Sequence, residues 1–81
     1  MLAGGETVRS EHSDELKDLV VAATNLNFPV KLRTDAVESI AAMGTHDALL
    51  ALLEMAGNDQ LSKKERELII KLASNLIKAG Y

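Results

Sequence analysis

One stretch, residues 32–54, constrains the fold more than any other part of the chain. Its apolar residues recur with helical spacing on both sides of Gly44-Thr45. Glycine accepts the left-handed conformation that ends many helices, and threonine caps a helix that follows. A link this short makes the two helices antiparallel neighbours. We therefore expect an αα-hairpin, a unit that in repeated form usually builds binding surfaces rather than catalytic sites.

The flanking segments predict one further helix on each side of this hairpin. Residues 1–12 have no apolar period and contain Gly4-Gly5, so we expect a flexible tail followed by one domain over residues 13–81. Ser13 is a candidate cap for a first helix that ends near Asn25. Pro29 fits the first turn of the second helix, and the third covers about 46–56. The sequence Ser62-Lys63-Lys64-Glu65 is a capping box that opens a fourth helix, which ends near Ala79.

The composition predicts an all-α fold with an aliphatic core. Hydrophobic residues make up 47% of the 81 residues, yet Phe28 and Tyr81 are the only aromatic ones. The single proline and the scarcity of β-branched runs favour helices over strands. We expect a stack of four helices built from αα-hairpins.

Helix three is apolar around almost its whole circumference, which is typical of a helix covered on most sides. We therefore expect it to be the central helix, with four leucines largely buried: Leu49, Leu50, Leu52 and Leu53.

Arg33 lies near the centre of the apolar arc of helix two, between Val37 and Ile40 on the helical wheel. An arginine in that position must reach solvent or a carboxylate, so we expect it to be structural. Asp47 and Asp59 are both candidate partners. The alternative is an arginine that binds a ligand in a concave groove.

No residue pattern predicts catalysis. The chain has no cysteine, and His12 and His46 do not have the spacing of a zinc site. We expect no catalytic, cofactor-binding or metal-binding residues, and no enzymatic activity. A net charge of −3 disfavours nucleic-acid binding. Because no long apolar segment or leader is visible, we expect a cytoplasmic protein without membrane contact.

A weak internal repeat is present. A shift of 34 residues aligns His12 and three positions of helix one with helix three, and a shift of 36 aligns three positions of helix two and Gly44 with helix four and Gly80. The hairpin itself reads Leu32-Arg33-x-x-Ala36-Val37-x-x-Ile40-Ala41-x-Met43-Gly44, then Ala48-Leu49-x-x-Leu52-Leu53. This pattern resembles the short bacterial form of a HEAT repeat. Helix four departs from it, because Ile69 stands where the arginine would be.

The resemblance implies a curved helical stack that serves as a protein-binding scaffold. A tetratricopeptide repeat has a similar period but requires aromatic residues that this chain lacks. Two hairpins are fewer than the roughly three that usually stabilise such an array. The chain would then be a small solenoid, a self-associating one, or a piece of a longer array.

Helix four has more apolar surface than one neighbouring helix can cover. We expect Leu68, Leu72, Ala73 and Leu76 to face helix three. A second stripe is rotated away from the first by roughly a third of a turn or more and is our candidate interface. It consists of Ile70, Ser74, Ile77 and Tyr81. The alternatives are that the N-terminal tail covers this stripe or that it is the edge of the core.

The leading functional hypothesis is a non-enzymatic module for protein–protein interaction. The second is a small structural or regulatory protein that acts as a homodimer. The third, more distant, is nucleic-acid contact through the basic side of helix four. That side carries Lys63, Lys64, Arg66, Lys71 and Lys78, with Glu65 and Glu67 interspersed.

Overall fold

The computed structural model describes residues 14–81, and this part of the chain contains four helices and no strand. They are α1 (residues 14–24), α2 (Val30–Met43), α3 (His46–Ala56) and α4 (Lys63–Lys78). The predicted all-α fold is therefore confirmed. The predicted tail over residues 1–12, with His12, and the cap at Ser13 lie outside the described residues.

The connection from α1 to α2 is a short polar turn. Thr24 Oγ1 donates to the Val20 carbonyl at 2.8 Å in the last turn of α1. The Asn25 side chain then accepts from the Asn27 amide, and the Asn25 carbonyl accepts from the Phe28 amide. Pro29 is the N-cap residue of α2 and precedes the first turn. Its extended ψ of 151° directs the chain into the new helix.

Gly44 and Thr45 form the predicted hinge between α2 and α3. Gly44 has φ 59° and ψ 43°, and its N–H donates to the Ala41 carbonyl. Thr45 Oγ1 accepts from the Ala48 amide at 3.0 Å, which satisfies one free N–H at the start of α3. Because one residue ends α2 and the next caps α3, the two helices turn back on each other.

Both ends of α4 carry defined caps. At its start Ser62 Oγ accepts from the Glu65 amide, and the Glu65 carboxylate accepts from the Ser62 amide, so the predicted capping box is present. At its end the Tyr81 amide donates to the Leu76 carbonyl and the Gly80 amide to the Ile77 carbonyl. This is the Schellman pattern, and Gly80 takes its left-handed position with φ 98°.

The core is aliphatic, as predicted. Its largest fully buried side chains are Ile40 from α2, Leu52 from α3 and Ile69 from α4. Ile69 was not among the residues expected to face α3. The buried face of α4 is formed by Glu65, Ile69, Ala73 and Leu76, whereas Leu68 and Leu72 are only partly buried. The helix is therefore rotated slightly from the predicted orientation.

The prediction that α3 is buried on most sides is wrong. Leu49 and Leu52 are buried, but Leu50 is 48% exposed and Leu53 is 47% exposed. The buried residues of α3 occupy one side of the helix. Leu50 and Leu53 lie next to each other outside that buried side, about 60° apart around the helix axis. Four helices are too few to cover a helix all round.

Candidate functional site

Arg33 and Glu65 form a buried ion pair that joins α2 to α4. Arg33 Nε donates to Glu65 Oε2 at 2.8 Å, and Arg33 Nη2 donates to Glu65 Oε1 at 3.1 Å. Arg33 Nη1 donates to the Phe28 carbonyl at 3.1 Å. The side chains are only 10% and 6% exposed. The planar guanidinium of Arg33 thus makes a bidentate contact with Glu65 in the first turn of α4 and also binds the turn before α2.

The environment of Glu65 favours its charged form. The hydrogen bonds from Arg33 lower the pKa of the Glu65 carboxyl below its usual value of 4.5, while burial acts in the opposite direction. The Ser62 amide donates to the same carboxylate and lowers the pKa further. Glu65 therefore serves two structural purposes: it completes the capping box of α4 with Ser62, and it is the counter-charge of Arg33.

Arg33 is buried and binds a carboxylate, which is one of the two outcomes expected for it, but neither predicted partner supplies that carboxylate. Asp47 and Asp59 are exposed, and Glu65 takes their place. The internal repeat contained the missing signal. The 36-residue shift places Arg33 opposite Ile69, and Glu65 lies one helical turn before Ile69. If α2 and α4 are equivalent helices of a repeat and lie side by side, the turn of α4 that contains Glu65 lies beside Arg33.

A groove of about 770 Å³ lies between α1 and α3, beside the end of α2. Its acidic side chains, Asp47 and Glu54, belong to α3, and its basic one, Lys17, to α1. The sequence did not predict this groove, because Leu50 was expected to lie in the core. The apolar lining consists of Leu16, Val20, Val21, Met43, Leu50 and Ala51.

A second apolar surface lies on one flank of α4. Ile70 is 53% exposed and Ile77 is 56% exposed, and Ser74 between them is partly buried. This part of the predicted interface stripe lies at the surface, as expected. Glu67 and Lys78 are exposed on the adjoining side of the helix. We call Glu67, Ile70, Ser74, Ile77 and Lys78 the α4 flank.

Tyr81 is not on this flank, because α4 ends at Lys78 and the chain turns at Gly80. A methyl group added to Gly44 would lie 3.5 Å from the Tyr81 hydroxyl oxygen, so the phenol covers the turn between α2 and α3. His46 Nδ1 lies 3.2 Å from the Tyr81 carbonyl oxygen. Extending the helical spacing to Tyr81 was therefore wrong, although its side chain remains half exposed.

Within residues 14–81 no three histidine, cysteine, aspartate or glutamate side chains cluster as a metal site would require. His46 is exposed and contacts a backbone carbonyl rather than a nucleophile. The basic residues of α4 are mixed with the exposed Glu67, and Arg66 is partly buried. No helix in this part of the chain is both long and apolar enough to cross a bilayer.

No family model, no curated protein and no solved structure matches this chain. Among the described residues, the groove between α1 and α3 and the α4 flank are two exposed apolar surfaces bordered by charges.

Proposed function

We propose that this chain is a non-enzymatic, HEAT-like helical module for protein–protein interaction, and that its α1–α3 groove binds an amphipathic helix of another protein. The groove is the observation that carries this proposal. Exposed apolar side chains from two helices, among them Val21 and Leu50, border one concave surface. A helix in a groove of this kind buries its own apolar stripe, which supplies most of the binding energy.

The charges of the groove specify the chemistry of the partner helix. Asp47 and Glu54 are seven residues apart, so they lie on one edge of α3 about 10 Å apart along its axis. Lys17 lies on the α1 wall. The complementary helix carries basic residues seven apart on the flank that faces α3, and an acidic residue on the flank that faces α1. Such pairing fixes orientation and excludes other helices.

The HEAT-like arrangement is supported by which helices lie side by side. The first and third border one groove, and the second and fourth share the Arg33–Glu65 pair. Alternate helices are neighbours in a stack of αα-hairpins, where each hairpin packs on the next.

Photo-crosslinking at a groove position tests this proposal. A benzophenone amino acid at Val21 is introduced into the protein in the cells that express it, since this exposed residue tolerates a larger side chain. We expect a covalent adduct whose attached peptide is an amphipathic helical segment with basic residues seven apart. The double variant Asp47→Lys/Glu54→Lys should lose that adduct, because both complementary charges are reversed.

The matched control places the same amino acid at Lys31, an exposed position of α2 outside the groove. An adduct of equal yield at Lys31, or none at Val21, contradicts a partner in the groove. Attachment at Val21 only to a second copy of this chain would show that the groove is a contact between two copies rather than a site for another protein. Attachment to nucleic acid alone would overturn the assignment to protein binding.

A further inference from the structure

We propose that the α4 flank is a two-fold interface with a second copy of this chain, in which two α4 helices pack antiparallel. This contact goes beyond the proposed function, because it adds a dimer interface on a surface separate from the groove. It rests on the spacing and the charges of Glu67, Ile70, Ser74, Ile77 and Lys78.

The apolar residues of the flank are arranged for self-pairing. Ile70 and Ile77 are equally distant from a point between Ala73 and Ser74. When a second α4 runs antiparallel about that point, Ile70 of one copy meets Ile77 of the other, and the reverse contact forms at the same time. Both isoleucines are more than half exposed in the single chain. Their burial against each other removes this apolar surface from water.

The charges of the flank select the antiparallel direction. In that arrangement Glu67 lies opposite position 80 of the second copy, only about 3 Å along the axis from Lys78. The long lysine side chain spans this offset, and symmetry gives the Glu67–Lys78 pair twice. A parallel pair of helices would instead place Glu67 level with Glu67 and Lys78 level with Lys78, so the Glu67–Lys78 pairs would not form. The antiparallel direction alone gains these pairs.

Ser74 sits at the crossing point, and its small side chain permits close approach of the two helices. Interaxial distances of 8–10 Å depend on the side chains at the contact. The absence of cysteine from the sequence makes this position directly testable, since a single introduced thiol has no competitor.

Ser74→Cys should form an interchain disulfide under mild oxidation, because residues at a two-fold axis approach within the Cα separation that a disulfide requires. The matched control is Ser39→Cys, an exposed serine of α2. We expect a covalent dimer on non-reducing gels from the Ser74 variant at concentrations where the Ser39 variant stays monomeric. Equal yields from the two variants would overturn the contact.

A charge exchange tests the direction of the contact without touching the core, because Glu67 and Lys78 are both exposed. Glu67→Lys alone and Lys78→Glu alone should each weaken self-association about tenfold, since each converts two attractive pairs into two repulsive ones. An equimolar mixture of the two variants should recover association as a heterodimer. Sedimentation equilibrium measures all three dissociation constants, with Lys31→Glu as a control of equal charge change.

A mixture no tighter than its components would overturn the antiparallel pairing. So would a wild-type chain that remains monomeric at millimolar concentration in light scattering. Neither result contradicts the groove proposal, because the crosslink at Val21 is measured separately. Conversely, loss of that crosslink with intact charge-exchange behaviour would remove the groove proposal and leave the dimer.

Discussion

Arg33 shows how a single buried residue can specify the order of a helical stack. A charged side chain inside an aliphatic core costs free energy unless a partner offsets its desolvation. Glu65 is that partner, and its position is itself fixed by the Ser62 cap of α4. The pair therefore ties the start of α2 to the start of α4 and penalises any packing that separates them.

Removing either partner should destabilise the protein strongly, whereas removing both should not. Arg33→Met or Glu65→Met leaves one unpaired buried charge and should each cost about 3–5 kcal/mol. The double variant should cost less than either single one, because its remaining losses are the hydrogen bonds to Phe28 and Ser62. Urea unfolding followed by circular dichroism measures the cycle. Additive single losses would show that the two side chains are not coupled.

The same pair should make stability depend on acid pH. The pKa of Glu65 is lowered on folding, so its carboxylate contributes stability above the usual value of 4.5 and loses it as the pH falls through the lower folded pKa. We expect the stability advantage of the wild type over Glu65→Gln to be constant near pH 7 and to shrink below pH 4.5. Urea unfolding at several pH values measures both proteins, and other carboxylates cancel in the difference. An advantage independent of pH would contradict a charged Glu65.

At the scale of the element, α3 presents apolar residues on two different sides. Its buried side supplies Leu49 and Leu52 to the core, while Leu50 lines the groove and Leu53, about 60° away around the helix, lies outside the groove lining. The apolar circumference that suggested complete burial thus reflects a core side and an exposed apolar surface on one helix. A partner in the groove would cover part of that surface.

Leu52→Ala and Leu50→Ala should distinguish the core side of α3 from its groove side. Leu52 is fully buried, so its truncation should cost about 2–5 kcal/mol through lost transfer energy and a cavity. Leu50 is half exposed, so its truncation should cost only about 1 kcal/mol. Thermal or urea unfolding of both variants checks the difference. Equal destabilisation would mean that Leu50 belongs to the core, and the groove would lose one of its walls.

For the whole molecule, the sequence was most informative where local chemistry decides structure. The Gly44-Thr45 hinge and the Ser62 capping box were predictable, because each depends on residues a few positions apart. Packing was less predictable. The Glu65 partner of Arg33, 32 residues away, and the half exposure of Leu50 depend on which helices become neighbours. Helical periodicity gives the faces of each helix but not their order in space.

The candidate surfaces also differed in this way: the one formed by a single helix was predictable, and the one formed by two helices was not. The exposure of Ile70 and Ile77 could be predicted from the wheel of α4 alone. The groove could not, because its walls come from α1 and α3, which are separated by a complete helix. The placement of Tyr81 on the α4 stripe was wrong for a third reason. The turn at Gly80 ends the helical periodicity before Tyr81.

The position of Tyr81 gives the protein a built-in optical reporter. The chain has no tryptophan and one tyrosine, so its emission on excitation at wavelengths that phenylalanine does not absorb arises from this single phenol. That phenol rests over Gly44, at the one place where the end of α4 meets the turn between α2 and α3. Its brightness and anisotropy therefore follow the docking of Tyr81 onto that turn, and release of this residue from the turn is observable without any attached dye.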